Sequence, residues 1–465
     1  MKNKILILLL FQSYYFEGIA QNYDTDLLTK DFHKGRRESL RKNLPDNTCA
    51  VFFSGAERQR ANDTKFIYHQ DPDFYYLTGL LEPNAMMIIF KDEQQFYDTI
   101  FTKELIFVQD RDPSKEMWTG KILGTAGVAL QLGFTNVFTN TQFADYKIDF
   151  ANFKNIYHKE FNDDVRDDIN NKGDLYSLIK HFRTKTSSHT TNIDKVNLEG
   201  WMASLREIKQ AEELLLMRKA IDMTCKAHSE VMKALQPGMK EYQAQAIVEY
   251  MFKNQGSEYV GYPSIVGGSE NSCVLHYETN RRKLANMDLL VIDAGAEYHG
   301  YTADITRTLP IDGTFSEQQK IIYNIVLEAQ EAGIKACIAG AEFRAAHKAA
   351  VAVIQKGLLE QGIIKNNNDY LDYFFHGTSH YLGLDVHDPG NYGKLIPGSI
   401  ITVEPGIYIP AGSTCDPMWW NIGVRIEDDI LITTGNPEVL SGKLPKKIEE
   451  IEALMKEESL LNTIK

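Results

Sequence analysis

A two-domain α/β protein is the fold class this sequence predicts. Its 465 residues exceed what one ordinary core encloses. Through the first part, strand-like runs alternate with helical stretches, the pattern of an α/β domain. In the second part a helix–turn–helix pattern occurs twice around strands, with the turn glycines Gly238 and Gly340 lying 102 residues apart. That recurrence predicts an α+β domain of two similar halves, related by an internal pseudo-twofold axis, with a site at their seam inside a curved sheet.

Residues 1–20 read as an export signal: Lys2 and Lys4 precede a short apolar core, Ile5 to Phe11, and Gly18-Ile19-Ala20 resembles a cleavage site. Seven apolar residues are too few to span a bilayer as a helix. The expectation is an exported protein, periplasmic or secreted, with a buried first helix of a cytoplasmic protein as the alternative. Asp31 to Lys42 is a charged helical stretch, and strand-like runs follow at Cys49–Ser54, Ala85–Phe90 and Glu104–Val108. The Ser/Thr-rich run Thr184–Asn192 reads as the linker, dividing an N-terminal domain over 21–185 from a C-terminal one over 186–465. Beyond it Ser204–Leu235 reads as one long helix stopped by Pro237-Gly238, followed by a helix over Glu241–Asn254. Ser316–Ile338, the turn Ala339-Gly340 and Arg344–Leu359 repeat the unit.

Composition narrows the function. A formal net charge of −13 argues against general affinity for nucleic acid or an anionic membrane, both of which call for a basic face. The five cysteines are scattered, odd in number and without a CxxC pair, so neither a disulfide framework nor a thiolate zinc site is expected.

The chemistry begins in LVIDAGAEYHGYTADITRTLP, residues 290–310, where two strand-like runs flank a turn candidate. With Tyr298 and His299 as a two-residue loop, Asp293 falls directly opposite Asp304 on one face of the hairpin. Carboxylates held that close repel unless cations lie between them or one is protonated, so the hairpin is a metal or a proton site. Three of the twelve histidines, His376, His380 and His387, fall in FFHGTSHYLGLDVHD. Glu404 ends the apolar run ITVEP, and in NIGVRIEDD alternation sets Arg425 and Glu427 on one face, with Asp428 and Asp429 read as a solvated strand end. Four carboxylates (Asp293, Asp304, Glu404, Glu427) and an imidazole favour hard or borderline cations, manganese or cobalt, and their charge suits two divalent ions. A pair of such ions activates water, which points to metal-assisted hydrolysis.

In that order, DAGAEYHGYTADITRTLP, HGTSHYLGLDVHD, TVEPGIYI and GVRIEDD resemble the metal site of the pita-bread metallopeptidases, specifically the aminopeptidase P family. RQRANDTKFIYHQDPDFYYLTGLLEPNA, residues 58–85, is similar to that family's creatinase-like N-terminal domain, and SIVGGSENSCVLHYETN to its substrate-side segment. The resemblance implies hydrolysis of the bond before a penultimate proline by two divalent ions, most often manganese. It implies Asp293 on one ion, Asp304 and Glu427 bridging, and His380 and Glu404 completing the second. His387 and His276 would flank the scissile amide, His376, Tyr408 and Arg425 would line a proline pocket, and Trp118 and Asp63 would reach a neighbouring subunit's site in a homo-oligomer. The alternative is a prolidase, cleaving Xaa-Pro dipeptides, in which Arg425 would hold the product's carboxylate.

Overall fold

The computed structural model describes residues 24–161, 165–188 and 192–463, so the export signal expected over 1–20 lies outside the described residues. The chain divides between Lys195 and Val196, later than the sequence placed the divide. Thr184 to Thr186 form the last turn of a helix, and Ile193–Asp194 adds a strand to the first unit's sheet, so the polar run is still part of that unit. Among the described residues no helix is long and apolar enough to cross a membrane.

In the first unit, β1 (Thr48–Phe53), β4 (Met86–Phe96), β5 (Ile100–Val108), β6 (Val137–Thr139), β7 (Asn155–Tyr157) and β8 (Ile193–Asp194) form a mixed sheet in the order β6–β5–β4–β1–β7–β8. β2 (Gln59–Ala61) and β3 (Thr64–Lys65) make a separate small hairpin with Asp63 in its exposed turn. The helices are α1 (Lys30–Asn43), α2 (Pro72–Thr78), α3 (Pro113–Thr119), α4 (Gly124–Leu132) and α5 (Leu175–Thr186). Local chemistry sets their ends: Asp71 caps α2, Pro72 opens it and Gly79 closes it in the left-handed region. Val51, Ile88, Phe107, Phe143, Phe150 and Phe182 pack into the core on the sheet. Arg37 is fully buried there and satisfied by the Glu104 carboxylate and the Leu77 carbonyl.

The second unit opens with α6 (Asn197–Glu207) and α7 (Ala211–Ala234), not the single helix expected over Ser204–Leu235. The break has a cause. Lys209 turns inward to a buried carboxylate at Asp388, and Gln210 starts α7 through a capping box with Glu213. The helical pair α7 and α8 (Glu241–Asn254) is matched by α9 (Glu317–Ala336) and α10 (Ala345–Glu360). The turn between each pair has a glycine in the left-handed region, Gly238 (φ 92°) and Gly340 (φ 85°). The bridge Lys240↔Lys283 beside the first turn is matched by Glu342↔Lys394 beside the second, with Glu342 again 102 residues after Lys240. Both halves therefore close their helical turn on the chain in the same way.

Each half carries strands that lead to the seam. In the first, β10 (Ile265–Gly268), β11 (Leu289–Ala294) and β14 (Ile305–Pro310) form one sheet, and β9 (Tyr259–Val260), β12 (Ala296–Tyr298) and β13 (Tyr301–Thr302) another. In the second, β15 (Ile400–Val403), β18 (Asp428–Leu431) and β19 (Glu438–Val439) pair, as do β16 (Gly406–Ile409) and β17 (Ile422–Arg425). Ile292, Ile305, Val326, Ile354, Ile407 and Val424 join helices and strands in one core, with α11 (Ile448–Leu454) packed against it through Ile451.

Candidate active site

The aspartate hairpin turns one position later than expected. Tyr298 pairs with Tyr301, leaving His299 and Gly300, both at positive φ, as the two-residue loop. Asp293 consequently faces Thr306, not Asp304. The shift moves the pairing by two residues, and because strand side chains alternate with period two, Asp304 stays on Asp293's face as its diagonal neighbour. Between them the strands come together at Gly295, where a Cβ would stand 1.7 Å from the Ala303 carbonyl oxygen. Tyr262 spans the aspartates: its hydroxyl donates to Asp293 Oδ1 at 2.6 Å and also contacts Asp304 Oδ1.

The second half brings its groups to the same place. The segment Thr378–His380 runs beside β15, with Glu404 N donating to the Thr378 carbonyl and His380 N to Thr402 Oγ1. His380 Nε2 then lies 3.3 Å from Asp304 Oδ2 and 3.7 Å from Glu404 Oε1. Its other nitrogen, Nδ1, is 3.0 Å from the Tyr381 carbonyl, which holds the ring with Nε2 turned to the carboxylates. Ligand atoms of Asp304, His380 and Glu427 all fall within 4.8 Å of one another. Glu427 receives a 2.6 Å hydrogen bond from Thr306 Oγ1. Arg425 Nη2 sits 2.7 Å from Asp293 Oδ2, and its Nη1 donates to the Tyr408 hydroxyl, which is 2.9 Å from His376 Nε2.

Tyr262, the four carboxylates, His376, His380 and Arg425 line one cavity of about 390 Å³, to which His276 and His387 also contribute, while Tyr408 stands behind His376 and Arg425. Charge inside it is out of balance. Burial, then the neighbouring Asp293, holds Asp304 above the usual carboxylate range. Burial and the surrounding carboxylates push Glu427 far up. Glu404 rises to about 7 through burial and Asp304, with His380 opposing. Only Asp293 is lowered: burial raises it, but Arg425 and the hydrogen bonds to Tyr262 and Arg425 together outweigh burial. Burial alone would depress His380, yet Asp304 and Glu404 carry it up to about 9. Three buried carboxylates and half-buried Glu404 face one paired guanidinium and one imidazole, a site short of positive charge. His376 and His387 shift the other way, burial lowering both, His376 to about 4, so both are neutral at pH 7.

The geometry therefore gathers Asp293, Asp304, His380, Glu404, Glu427, His276, His376, His387, Tyr408 and Arg425. Trp118 and Asp63 lie in the first unit, both exposed, Trp118 by 88%. Asp428 and Asp429 correct the reading of a solvated strand end, since both are fully buried. Asp428 is held far below its usual range, its burial outweighed by Arg307 and Lys446, which bond it together with Gln330 and Ser441. Arg307 also donates to the Glu427 carbonyl, tying that ion network to the floor of the site.

Two features of the site went unread in the sequence. Tyr262 follows a glycine in a segment with no periodic signal, and nothing local marks its reach to the aspartates. The turn carrying His276 is organised by buried Glu241 at the start of α8, which accepts from Gly268 N, Asn271, Tyr277 and Arg282 N at 2.7–2.9 Å. That Glu241 opens a helix was legible; the identity of its partners was not.

Comparison with known proteins agrees with this geometry. Residues 215–434 match the model of metallopeptidase family M24, and residues 33–157 that of the aminopeptidase P N-terminal domain. The chain is 35% identical to the Xaa-Pro aminopeptidase of Escherichia coli K12 over 93% of its length and 98% of that protein. It is 34% identical to that of Haemophilus influenzae, over 92% and 98%. The structure of Pseudomonas aeruginosa aminopeptidase PepP superposes with a TM-score of 0.82 at 32% identity, covering 93% of this chain and 99% of that one. An Escherichia coli aminopeptidase P variant in complex with substrate does so with 0.82 at 31%, covering 92% and 98%.

Proposed function

The chain belongs to metallopeptidase family M24, in its aminopeptidase P branch, and on that premise we propose how its site works. It is a metallo-aminopeptidase that hydrolyses the Xaa-Pro bond and releases the N-terminal residue from peptides with proline in second place. The observation that carries the reading is the convergence of Asp293, Asp304, Glu404, Glu427 and His380 on one buried cavity with too little positive charge to balance it.

The residues present fit two divalent ions. Asp293 would serve one, His380 and Glu404 the other, and Asp304 and Glu427 would serve both. The oxygen-rich donor set with a single imidazole suits manganese. When bound, the ions supply Lewis acidity at the scissile carbonyl and lower the pKa of the attacking water. The remaining work falls to side chains. Arg425 fixes the Asp293 carboxylate while Thr306 fixes that of Glu427, so neither ligand turns away. Proline offers no amide N–H, so recognition rests on the shape of its ring, and His376, Tyr408 and Arg425 form a hydrogen-bonded wall for it. Hydrolysis puts hydroxide on the carbonyl carbon and a proton on the leaving proline nitrogen. His387 and His276 stand at the cavity wall, placed to hydrogen-bond the tetrahedral intermediate.

A prolidase would need Arg425 for the product's carboxylate, but that guanidinium is already engaged by Asp293, Tyr408 and Thr306. Exposed Trp118 and Met117 on α3 support a homo-oligomer in which the N-terminal unit serves a neighbour, and the Lys2–Ala20 segment supports export. The test compares Ala-Pro-Gly with Ala-Pro, together with metal content per chain. Hydrolysis of the tripeptide at two manganese per chain supports the reading; preference for the dipeptide, or full activity without divalent metal, overturns it.

A further inference from the structure

A second cavity, of about 590 Å³, adjoins the catalytic one, and the reaction as derived leaves it without a role. His376, Gly377 and Ser379 line both. Nothing lies within 4 Å of where a Cβ on Gly377 would stand, so the strip between the cavities is open at that residue. The Ser379 hydroxyl, beside it, is enclosed and has no hydrogen-bond partner among the described residues, an arrangement proteins seldom leave without a ligand to complete it. The walls are apolar and partly exposed, with Leu371, Phe375 and Tyr392 about half open to solvent. Arg344 lines the same space, exposed, and its side chain makes no ion pair or hydrogen bond among the described residues.

The duplication shows that this hollow does not follow from the scaffold. In the first half, the space between α8 and the following segment is filled by polar contacts: Glu241 takes its four donors there, and Gln245 accepts from Asn280 at 2.9 Å. In the second half, 102 residues on, His347 stands where Gln245 does, hydrogen-bonds Thr378 at 2.8 Å, meets the Phe374 ring and borders open space. The open layer belongs to the half that carries the proline wall.

We propose that this second cavity is the subsite for the residues following proline, taking an apolar or aromatic side chain against Leu371 and Phe375 and a carboxylate at Arg344. This rests on the proposed function, because it uses the proline wall to set direction. A proline ring held at His376 sends the rest of the peptide past Gly377, into this neighbouring cavity, which shares that residue with the catalytic one. The carboxylate is either the C-terminus of a short peptide or an acidic side chain of a longer one.

The experiment measures kcat/KM on the metal-loaded enzyme for Ala-Pro-Gly-Gly, Ala-Pro-Phe-Phe and Ala-Pro-Phe-Asp, each as free acid and as C-terminal amide. Hydrolysis of Ala-Pro-Gly-Gly reports the proposed function by itself; ratios within one enzyme report the subsite. The wild type is expected to favour the Phe-Phe peptide over Gly-Gly by about tenfold, the scale of burying an aromatic ring. Leu371→Asp should bring that ratio towards one. Arg344→Glu should abolish the advantage of free acid over amide, or of Asp over Phe at the last position, and whichever is lost identifies the carboxylate's source. A wild type indifferent to the residues beyond proline, or ratios unchanged in both variants, overturns the proposal even where Ala-Pro-Gly-Gly is cleaved normally.

Discussion

The two halves of the catalytic unit share a scaffold and differ in what they put behind the metal ligands. Each has a helical pair closed by a glycine turn, and each sends a strand, β11 or β15, to end at an acid: Asp293 within the last two residues of one, Glu404 just past the other. The first half backs its ligands with a filled layer centred on Glu241 and with Tyr262 across the aspartates. The second supplies Arg425, three of the four site histidines and an adjoining cavity. Duplication thus explains why carboxylates meet at the seam, while the divergence of the halves explains why one side is rigid and the other receives substrate.

The strongest way to break that account is to remove one bridging acid from each half. Asp304→Asn and Glu427→Gln should each lower kcat/KM by about a thousandfold or more, with metal content falling in parallel. If one variant kept near-normal turnover and metal, the halves would not share the ions equally. Arg425→Met comes next. It leaves Asp293 buried without its cation, and removing one partner of such a pair costs about 3–5 kcal/mol. Denaturant melts of the metal-free chain should show that loss, and added manganese should restore part of it by occupying the same charge deficit.

How far these groups could be read from the chain depends on the range of their interactions. Asp293 and Asp304 announced themselves because acids are rare in β-branched strands, and their common face survived a misplaced turn because an error of two residues preserves side-chain alternation. The helical pairs and the stiff position of Glu404 were likewise set by local signals. Asp428 and Asp429 misled for the opposite reason. Two adjacent acids look like a solvated end until Arg307 and Lys446, distant in sequence, are seen to neutralise one of them. Tyr262 and the α6–α7 break had the same handicap, since each is explained by a partner far along the chain.

Proton competition sharpens the charge argument. With its pKa raised to about 9, against about 6.5 for an unperturbed imidazole, His380 stabilises the metal-free fold fully below the lower value and loses that contribution as pH rises through the upper one. Manganese needs the same nitrogen unprotonated. Above about 7, where Glu404 is already ionised, metal-free stability should fall towards pH 9 while manganese affinity rises by up to about tenfold per pH unit. Thermal melts and metal titrations across that range should run in opposite directions; parallel trends would remove His380 from the ligand set.

The smallest effect tests the difference between the filled layer and the open one. Glu241→Gln turns one of the carboxylate oxygens into a donor facing donors, at a position where Gly268 N, Asn271, Tyr277 and Arg282 N all depend on an acceptor. Leaving such groups unsatisfied in a buried place costs about 1–3 kcal/mol, and the turn holding His276 should loosen with them, lowering kcat more than it raises KM. His347→Gln puts the first half's side chain at the matching place in the second. There the neighbour is a cavity with solvent access and only one hydrogen bond, to Thr378, is at stake, so stability should change by no more than about 0.5 kcal/mol. Comparable losses in both variants would mean that the second half is as tightly supported as the first, and that its cavity is a packing defect with no part in binding peptide.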